Sequence, residues 1–261
     1  MHIKELAVKA RQFDQELNKE KKQLAPQEFD WYPYGTLSNF LHLKKLLGKS
    51  HPYLLSLAGD RPMVDIGAAD GDTAFFLESL GYEVDTVDYP PTNFNGCRGL
   101  GLLKKARQSG VGLHEVDLDR QFELPGKAYG LAFFLGILYH LKNPYAALES
   151  LAGMAHHALI STRIARYNVA RERKGRGGLN GKRVELADIP SAYLVAPMET
   201  NNDPTNYWMF TEAGLKRILD RCGWELMAWT TVGDTRQSDP ATAKHDERAF
   251  CLVRSRLMES K

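Results

Sequence analysis

The stretch Met63-Val64-Asp65-Ile66-Gly67-Ala68-Ala69-Asp70-Gly71-Asp72 decides the fold of this chain. Four residues typical of a buried strand lead into a turn of small residues, and an amphipathic helix pattern follows over residues 73–80. A second predicted strand, residues 83–88, ends on Asp88. In a βαβ unit of this kind, a ligand lies against N–H groups at the helix N-terminus, and the acid that ends the second strand accepts from ribose hydroxyls. The segment therefore predicts a site for a nucleoside-containing cofactor.

The chemistry of the turn distinguishes between cofactors. A dinucleotide-binding turn carries G-x-G-x-x-G without carboxylates, because a pyrophosphate brings two negative charges. Here the spacing is Gly67-x-x-x-Gly71, Ala69 stands where the middle glycine would be, and three carboxylates crowd the turn: Asp65, Asp70 and Asp72. Negative charge favours a ligand with an ammonium and a sulfonium group, so the turn predicts S-adenosylmethionine (SAM) rather than NAD. A strand-to-helix turn that binds nothing is the alternative.

The order of the predicted elements extends this unit into an open sheet. After the first two strands, the predicted elements are strands 111–118 and 129–138, helix 144–154, strand 158–162, a long insertion, helix 211–222, and strands 224–231 and 249–253. The continuous apolar strand 129–138 is typical of a sheet covered by helices on both faces. The alternation of strands and helices predicts an α/β fold. No helix separates the last two strands, so they are predicted to form an antiparallel pair at one edge.

Three parts of the chain carry a family resemblance. They are residues 65–88, the run Leu135-Gly136-Ile137-Leu138-Tyr139-His140 followed by Asn143-Pro144, and residues 203–208 together with Trp31-Tyr32. With these features the chain resembles the class I SAM-dependent methyltransferases, and among them the group of tRNA wobble-uridine-modifying enzymes, over roughly residues 28–255. The resemblance implies a Rossmann-like, doubly wound, seven-stranded sheet with an antiparallel last pair. It also implies an N-terminal helical cap (1–50) and a SAM-binding domain (51–258) with a substrate-side insertion (163–210).

The resemblance further implies which residues contact the cofactor. Asp65 would receive the ammonium group of SAM, and Asp88 would accept from the ribose hydroxyls. The other implied contacts are the backbone at Gly67, Ala69 and Gly71, then Tyr89, Asp117 and Leu118 around the adenine, and Leu135 near the sulfonium. Most family members have Gly where this chain has Ala69, whose methyl group narrows the pocket. The basic N-terminal stretch that holds carboxylated SAM in tRNA-modifying members is not matched here, so that cofactor is not predicted.

The acceptor side is predicted at the carboxyl edge of the fourth strand, where Tyr139 and His140 follow it. Histidine titrates near neutrality, so His140 is a candidate general base. The alternative is a structural role, in which His140 caps the following helix or is a half-buried histidine with its hydrogen bonds satisfied. The candidate substrate-binding residues are Trp31, Tyr34, Arg163, Glu199, Asn201 and Trp208. The expected reaction is methyl transfer to oxygen, with nitrogen and carbon less favoured. The rival functions are a SAM-fold binding protein without catalysis and an NAD-dependent oxidoreductase.

The nature of the acceptor depends on a basic segment in the insertion. Between residues 163 and 183 one acid, Glu172, stands against eight basic residues: Arg163, Arg166, Arg171, Arg173, Lys174, Arg176, Lys182 and Arg183. As a loop near the active face, this segment could grip phosphates of tRNA or of a phosphorylated small molecule. Charge runs are also common in solvated surface loops, and this one lacks the series of interleaved aromatic residues that base stacking needs, with Tyr167 alone among its basic residues. The sequence therefore leaves two candidate acceptors, tRNA and a small molecule.

Composition agrees with a single enzyme domain and its cap. The chain has 261 residues, 43% of them hydrophobic, and a formal charge of +2, which does not by itself indicate a polyanionic partner. It has no apolar run of the ~20 residues that a membrane span needs, and no signal-peptide core. Three scattered cysteines predict neither disulfides nor a metal site and suit the cytoplasm. An amphipathic helix over residues 1–24 is expected to pack on the domain, act as a lid or contact a second copy in a homodimer.

Overall fold

The structure, a computed structural model, describes residues 1–24, 28–48, 50–120, 124, 128–169, 183–240 and 245–258. Its α-helices are α1 (Ile3–Gln23), α2 (Asn39–Leu47), α3 (Asp72–Ser79), α4 (Arg98–Arg107), α5 (Pro144–Ala152) and α6 (Glu212–Arg221). The first five strands are β1 (Met63–Ile66), β2 (Val84–Asp88), β3 (Gly112–Glu115), β4 (Tyr129–Leu135) and β5 (Ala155–Ile164). The others are β6 (Tyr167–Val169), β7 (Arg183–Glu185), β8 (Ala192–Leu194), β9 (Trp208–Phe210), β10 (Trp224–Gly233) and β11 (Glu247–Ser255).

Seven strands form the main path of the sheet, in the order β10-β11-β5-β4-β1-β2-β3. The pairs from β5 to β3 are parallel. Strand β11 runs antiparallel to both of its neighbours, β5 and β10. This arrangement confirms the predicted α/β sheet with an antiparallel last pair at one edge. It brings the carboxyl ends of β1, β2 and β4 together, which is where such sheets bind their ligands.

Helices cover both faces of the sheet, and successive residues of β4 show why. Leu131 and Phe133 point into one hydrophobic core, and Ala132 and Phe134 point into the other, as the alternation of side chains along a strand requires. The first core takes residues from α1, α2, α3 and α4, and the second takes residues from α5 and α6. Because both faces of β4 are buried, the strand is apolar throughout.

The N-terminal helices are part of the first core. The apolar face of α1 is buried along its length, through Ile3, Leu6, Ala7, Ala10, Phe13 and Leu17. On α2, the ring of Phe40 lies 5.2 Å from that of Phe76 and 6.1 Å from that of Phe133. The amphipathic pattern of residues 1–24 is therefore explained by packing against the helices α2 and α3 within this core. No helix among the described residues is long and apolar enough to cross a membrane.

Some elements differ from the sequence-based prediction. Helix α4 was not predicted, because Gly99 and Gly101 lower the helix propensity of a segment whose Leu100 and Leu103 nonetheless reach the core. The fourth strand ends at Leu135, three residues early, because Gly136 adopts φ of 80° and turns the chain. The insertion supplies short strands, of which β9 pairs with β5 and β8 pairs with β9.

Candidate cofactor and acceptor site

The glycine turn between β1 and α3 has a left-handed backbone at three positions. The φ angles are 72° at Gly67, 53° at Ala69 and 84° at Gly71. A Cβ atom on Gly67 would lie 2.1 Å from Cδ1 of Ile137, so only glycine fits where the turn meets the Gly136–His140 run. Ala69 adopts a conformation that costs an L-residue about 1 kcal/mol. The turn is therefore shaped by close packing, and it lies beside the predicted acceptor residues.

Asp88 connects the end of β2 to this turn. Its Oδ2 accepts from the N–H of Ala69 at 2.8 Å and from Nδ2 of Asn93 at 2.9 Å, and its Oδ1 accepts from the N–H of Tyr89 at 2.8 Å. A carboxylate has about four acceptor positions, so one remains for a ribose hydroxyl. Asn93 was missed in the sequence, where nothing local distinguishes it from other loop asparagines.

Asp65 is an acid of the turn with a strongly raised pKa. Its side chain is buried, and burial together with the nearby Asp88 and Asp72 raises the pKa of its carboxyl to about 8, against a hydrogen bond from the backbone of Ala74. At neutral pH the carboxyl is thus mainly protonated until a cation is placed beside it. This is consistent with a group that receives an ammonium ion, the role implied for Asp65 by the resemblance.

The other two carboxylates of the turn are paired within the chain. Nζ of Lys21, at the end of α1, lies 3.1 Å from Oδ2 of Asp70 and 2.8 Å from Oδ1 of Asp72, and all three side chains are buried. Lys21 therefore offsets one of the two negative charges of this pair. The charge that would repel a pyrophosphate is smaller than the three carboxylates of the turn suggest.

The predicted adenine side lies at the ends of β2 and β3. The N–H of Val116 donates to the backbone oxygen of Asp88 at 3.0 Å, which brings Asp117 close to Asp88. Oδ1 of Asp117 accepts from the N–H of Asp119 at 3.0 Å, and Leu118 packs against the second core. Both residues therefore follow β3 at the edge of the sheet that carries the glycine turn.

His140 is held in one orientation at the acceptor side. Its Nδ1 lies 3.1 Å from the backbone oxygen of Thr205 and 3.0 Å from Oγ1 of the same residue, whose hydroxyl donates to Asp203 at 2.6 Å. Nδ1 therefore carries the proton, and Nε2 keeps its lone pair. Burial lowers the pKa of His140, with Arg248 and Arg163 adding to the decrease and Thr205 and Asp203 opposing it. The imidazole is thus neutral at pH 7.

Tyr139 has aromatic and cationic neighbours. Its ring lies 4.1 Å from that of His140, and the guanidinium carbon of Arg248 lies 5.8 Å from its centroid. Burial raises the pKa of Tyr32 to about 12, with Tyr139, Tyr34 and Asp88 adding to the rise and Arg248 opposing it. The charges of Asp88 and Tyr139 thus both act on Tyr32. Arg248 is a candidate site residue that the sequence analysis did not select, and Tyr32 entered it only through the Trp31-Tyr32 pair of the resemblance.

The predicted substrate residues are distributed unevenly around this site. Arg163 is buried next to His140, but its Nε is paired with Asp246 at 2.7 Å. Trp208 donates from Nε1 to the backbone oxygen of Lys142 at 3.2 Å, close behind His140. The others have their own surroundings: Trp31 packs on Phe29 and the first core, Tyr34 is exposed beside Tyr32, Glu199 accepts from Tyr193 and Ala196, and Asn201 is exposed at φ of 56°.

The basic segment is described only at its two ends. Two other arginines of this segment are described, Arg166 and Arg183, and like Arg163 they have partners within the chain. Nη2 of Arg166 lies 2.7 Å from Oε1 of Glu247. Nη1 of Arg183 donates to Gln237 at 3.1 Å, and its guanidinium stacks 4.4 Å from the ring of Tyr167. The remaining basic residues lie outside the described residues: Arg171, Arg173, Lys174, Arg176 and Lys182.

Solved structures share this architecture. The N-terminal domain of EvdMO1 with SAH (S-adenosylhomocysteine) bound matches with a TM-score of 0.55 and 16% identity over 93% of this chain and 97% of that chain. PH0226 protein from Pyrococcus horikoshii OT3 matches with a TM-score of 0.52 and 14% identity over 91% and 99%. The [4+2]-cyclase SpnF matches with a TM-score of 0.52 and 12% identity over 88% and 87%. No protein-family model and no curated protein sequence matches the chain.

The chain has a Rossmann-like α/β fold, which it shares with the SAH-bound N-terminal domain of EvdMO1. The strand order and the antiparallel last pair are the features that the resemblance implied. At 16% identity or less, the likeness to the solved structures shows the fold alone. The comparisons give no support for the tRNA wobble-uridine group, so that narrower assignment stays a prediction.

Proposed function

We propose that the protein is a SAM-dependent methyltransferase that acts on an oxygen atom of its acceptor. The observation that carries this proposal is the neutral His140, fixed through Nδ1 by Thr205 beside the glycine turn. A histidine held in this way presents Nε2 as a proton acceptor. The carboxyl edge of the sheet thus offers a cofactor cradle and a base in adjacent positions.

The residues of the turn fit SAM. Gly67 lets the turn pack closely against the side chain of Ile137, which precedes the acceptor residues, and Asp65 is a buried acid that a ligand ammonium would ionise. Asp88 keeps a free acceptor position for a ribose hydroxyl. When bound, SAM supplies an activated methyl group. The chain's own contribution is to orient the acceptor hydroxyl and to take its proton on Nε2 of His140.

Two other functions compete on this fold. SpnF, which shares the architecture, is a [4+2]-cyclase, so the fold by itself does not decide the reaction. A protein that binds SAM without catalysis is the simpler rival. An NAD-dependent oxidoreductase is disfavoured by the Gly67-x-x-x-Gly71 spacing and by Ala69, and to a lesser degree by the charge of the turn, which Lys21 partly offsets. The oriented His140 favours catalysis over binding alone.

The proposed acceptor is a small molecule rather than tRNA. Arg163 and Arg166 are ion-paired with Asp246 and Glu247, so two of the three described basic residues of this segment are neutralised within the chain, and Arg183 donates to the neutral Gln237. An RNA-binding surface needs cations that are available for phosphates. A secondary metabolite, a sugar or a lipid precursor with a hydroxyl group therefore fits better.

Cofactor binding is the first test. Calorimetric titration with SAH is expected to show micromolar affinity, titration with NAD no binding, and Asp88→Ala a loss of SAH binding. Asp220→Ala, which removes an exposed acid from α6, is the matched control and should bind as the wild type does. A folded wild-type protein that does not bind SAH would refute the proposed function.

Methyl transfer is tested separately with methyl-labelled SAM and a cell extract. Label is expected in a small-molecule fraction, it should survive ribonuclease treatment, and it should be lost with His140→Gln. Label in RNA, with salt-dependent tRNA binding, would identify the tRNA alternative. SAH binding without any transfer would indicate the binding protein.

A further inference from the structure

A buried lysine far from the glycine turn in sequence is attached to it in space. Lys21 belongs to the last turn of α1 and is only 6% exposed. Its Nζ donates to Oδ2 of Asp70 at 3.1 Å and to both oxygens of Asp72, at 2.8 Å and 3.0 Å. A buried ammonium is costly unless it is paired and hydrogen-bonded, so this geometry is under strong constraint.

Asp70 joins further segments at the same point. Its Oδ2 also accepts from the N–H of Tyr32 at 2.8 Å, and its Oδ1 accepts from Nδ2 of Asn95 at 2.8 Å. Nδ2 of Asn95 in turn lies 3.2 Å from the backbone oxygen of Asp30. The end of α1, residues 30–32, the glycine turn and the loop before α4 thus meet around one carboxylate.

This junction determines where Tyr32 lies. The backbone of Tyr32 is bonded to Asp70, and its ring packs 5.4 Å from Tyr34 and 5.9 Å from Phe94. The charges of Asp88 and Tyr139 both raise the pKa of its phenol. Any shift of Asp70 therefore moves both the turn and the backbone of Tyr32, which is bonded to it.

The charge balance shows what depends on the lysine. Burial raises the pKa of Asp72, and Lys21 opposes the rise. Without Lys21, two buried carboxylates would face each other with no cation among their described partners. Removal of one partner from a buried pair leaves an uncompensated charge, which the structure relieves by moving the group or protonating it.

We propose that Lys21 is a positioning residue for the cofactor site: it holds the turn 67–72 in its binding conformation and, through Asp70, keeps the segment 30–32 attached to it. This inference rests on the proposed function. The lysine acts through Asp70 and Asp72 rather than by touching the cofactor. The N-terminal helix thereby becomes part of the binding site.

The test compares Lys21→Met with Lys22→Met, which removes an exposed lysine from the same turn of α1. Lys21→Met is expected to weaken SAH binding by about tenfold or more, as expected for loss of charged hydrogen bonds, and Lys22→Met to leave it unchanged. Adding Asp72→Asn to Lys21→Met removes one of the two uncompensated charges, and it should restore part of the affinity. If Lys21 had only a structural role, Lys21→Met would lower the stability of the protein, and the added Asp72→Asn would not restore SAH affinity.

Hydrogen exchange provides a readout that does not depend on the cofactor. Lys21→Met should accelerate amide exchange in peptides covering residues 30–34 and 67–77, and Lys22→Met should not. If Lys21→Met does not fold, the double variant is compared with Asp72→Asn alone in the same two assays. Unchanged exchange and wild-type SAH affinity would overturn the inference. If the wild-type protein binds no SAH, the proposed function is refuted. Accelerated exchange in Lys21→Met would still establish that Lys21 couples the two segments.

Discussion

Arg248 and Arg163 are register partners on the antiparallel strands β11 and β5. Like charges directly opposite each other repel, and each cation needs a compensating contact. Arg163 has one, because its Nε lies 2.7 Å from Oδ1 of Asp246. Arg248 has no ion pair among the described residues and faces the ring of Tyr139 instead. A cation is thus directed at the acceptor side of the site.

We first predict that Arg248→Gln raises the pKa of His140. Arg248 is one of the two cations that lower this pKa, so its removal stabilises the protonated imidazole. NMR titration of the His140 ring should show the rise. Arg254→Gln, on the exposed part of the same strand, should leave the His140 titration as it is. A pKa that does not move in Arg248→Gln would place the guanidinium away from the imidazole.

The second prediction concerns catalysis by His140. Because the pKa of His140 is lowered below its ordinary value of 6.5, the neutral base is present at pH 7 and is lost as the pH falls through the lowered pKa. The transfer rate should therefore be flat above pH 7 and fall in acid. His140→Gln is expected to lower the rate by about 10²-fold or more with unchanged SAH affinity.

The control for this variant is His156→Gln on β5, for which we expect wild-type transfer. Transfer is measured as label moved from methyl-labelled SAM to the acceptor fraction. A His140→Gln enzyme with the wild-type rate and pH profile would show that His140 has only a packing role.

The third prediction is that Ala69→Gly stabilises the protein. Ala69 has φ of 53°, where a Cβ atom is unfavourable, so glycine should raise the free energy of unfolding by about 1 kcal/mol. Denaturant unfolding measures the change. Ala68→Gly, at a neighbouring buried position without a positive φ, is expected to destabilise instead. A less stable Ala69→Gly would mean that the methyl group makes favourable contacts that outweigh the backbone strain.

The fourth prediction is that SAH binding at pH 7 releases a proton from Asp65. The carboxyl has a pKa of about 8 in the free protein, and an adjacent ammonium lowers it, so binding ionises the group. Affinity should rise with pH up to about 8 and then level off. Calorimetry in two buffers of different ionisation enthalpy measures the proton, and Asp65→Asn should abolish its release. An unchanged proton count in that variant would assign the proton to another group.

The same pKa affects stability. Asp65 holds its proton in the folded protein at pH values where the unfolded chain has lost it, so its contribution to stability is complete below about pH 4 and is lost as the pH rises through about 8. In Asp65→Asn the free energy of unfolding should vary less between pH 5 and 9. Equal pH dependence in the two proteins would contradict the raised pKa.

Short-range patterns in the sequence predicted the fold well. The alternation along β4, the glycine turn and the missing helix between β10 and β11 are all visible within short stretches of the chain. Helix α4 escaped prediction because its glycines weaken the local signal and its stability comes from Leu100 and Leu103 in the core. The candidate site was predicted where it follows directly from strand ends, at Asp65, Asp88, Tyr139 and His140.

The sequence by itself determined the α/β architecture and the place of the glycine turn, because hydrophobic periodicity and small residues act locally. Only the tertiary structure decided the charge and orientation of the site. Lys21 reaches Asp70 across 49 positions, and Thr205 reaches His140 across 65. Such pairs depend on how helices and strands dock, and burial then sets their protonation, since a carboxylate or imidazole has its ordinary pKa only in water.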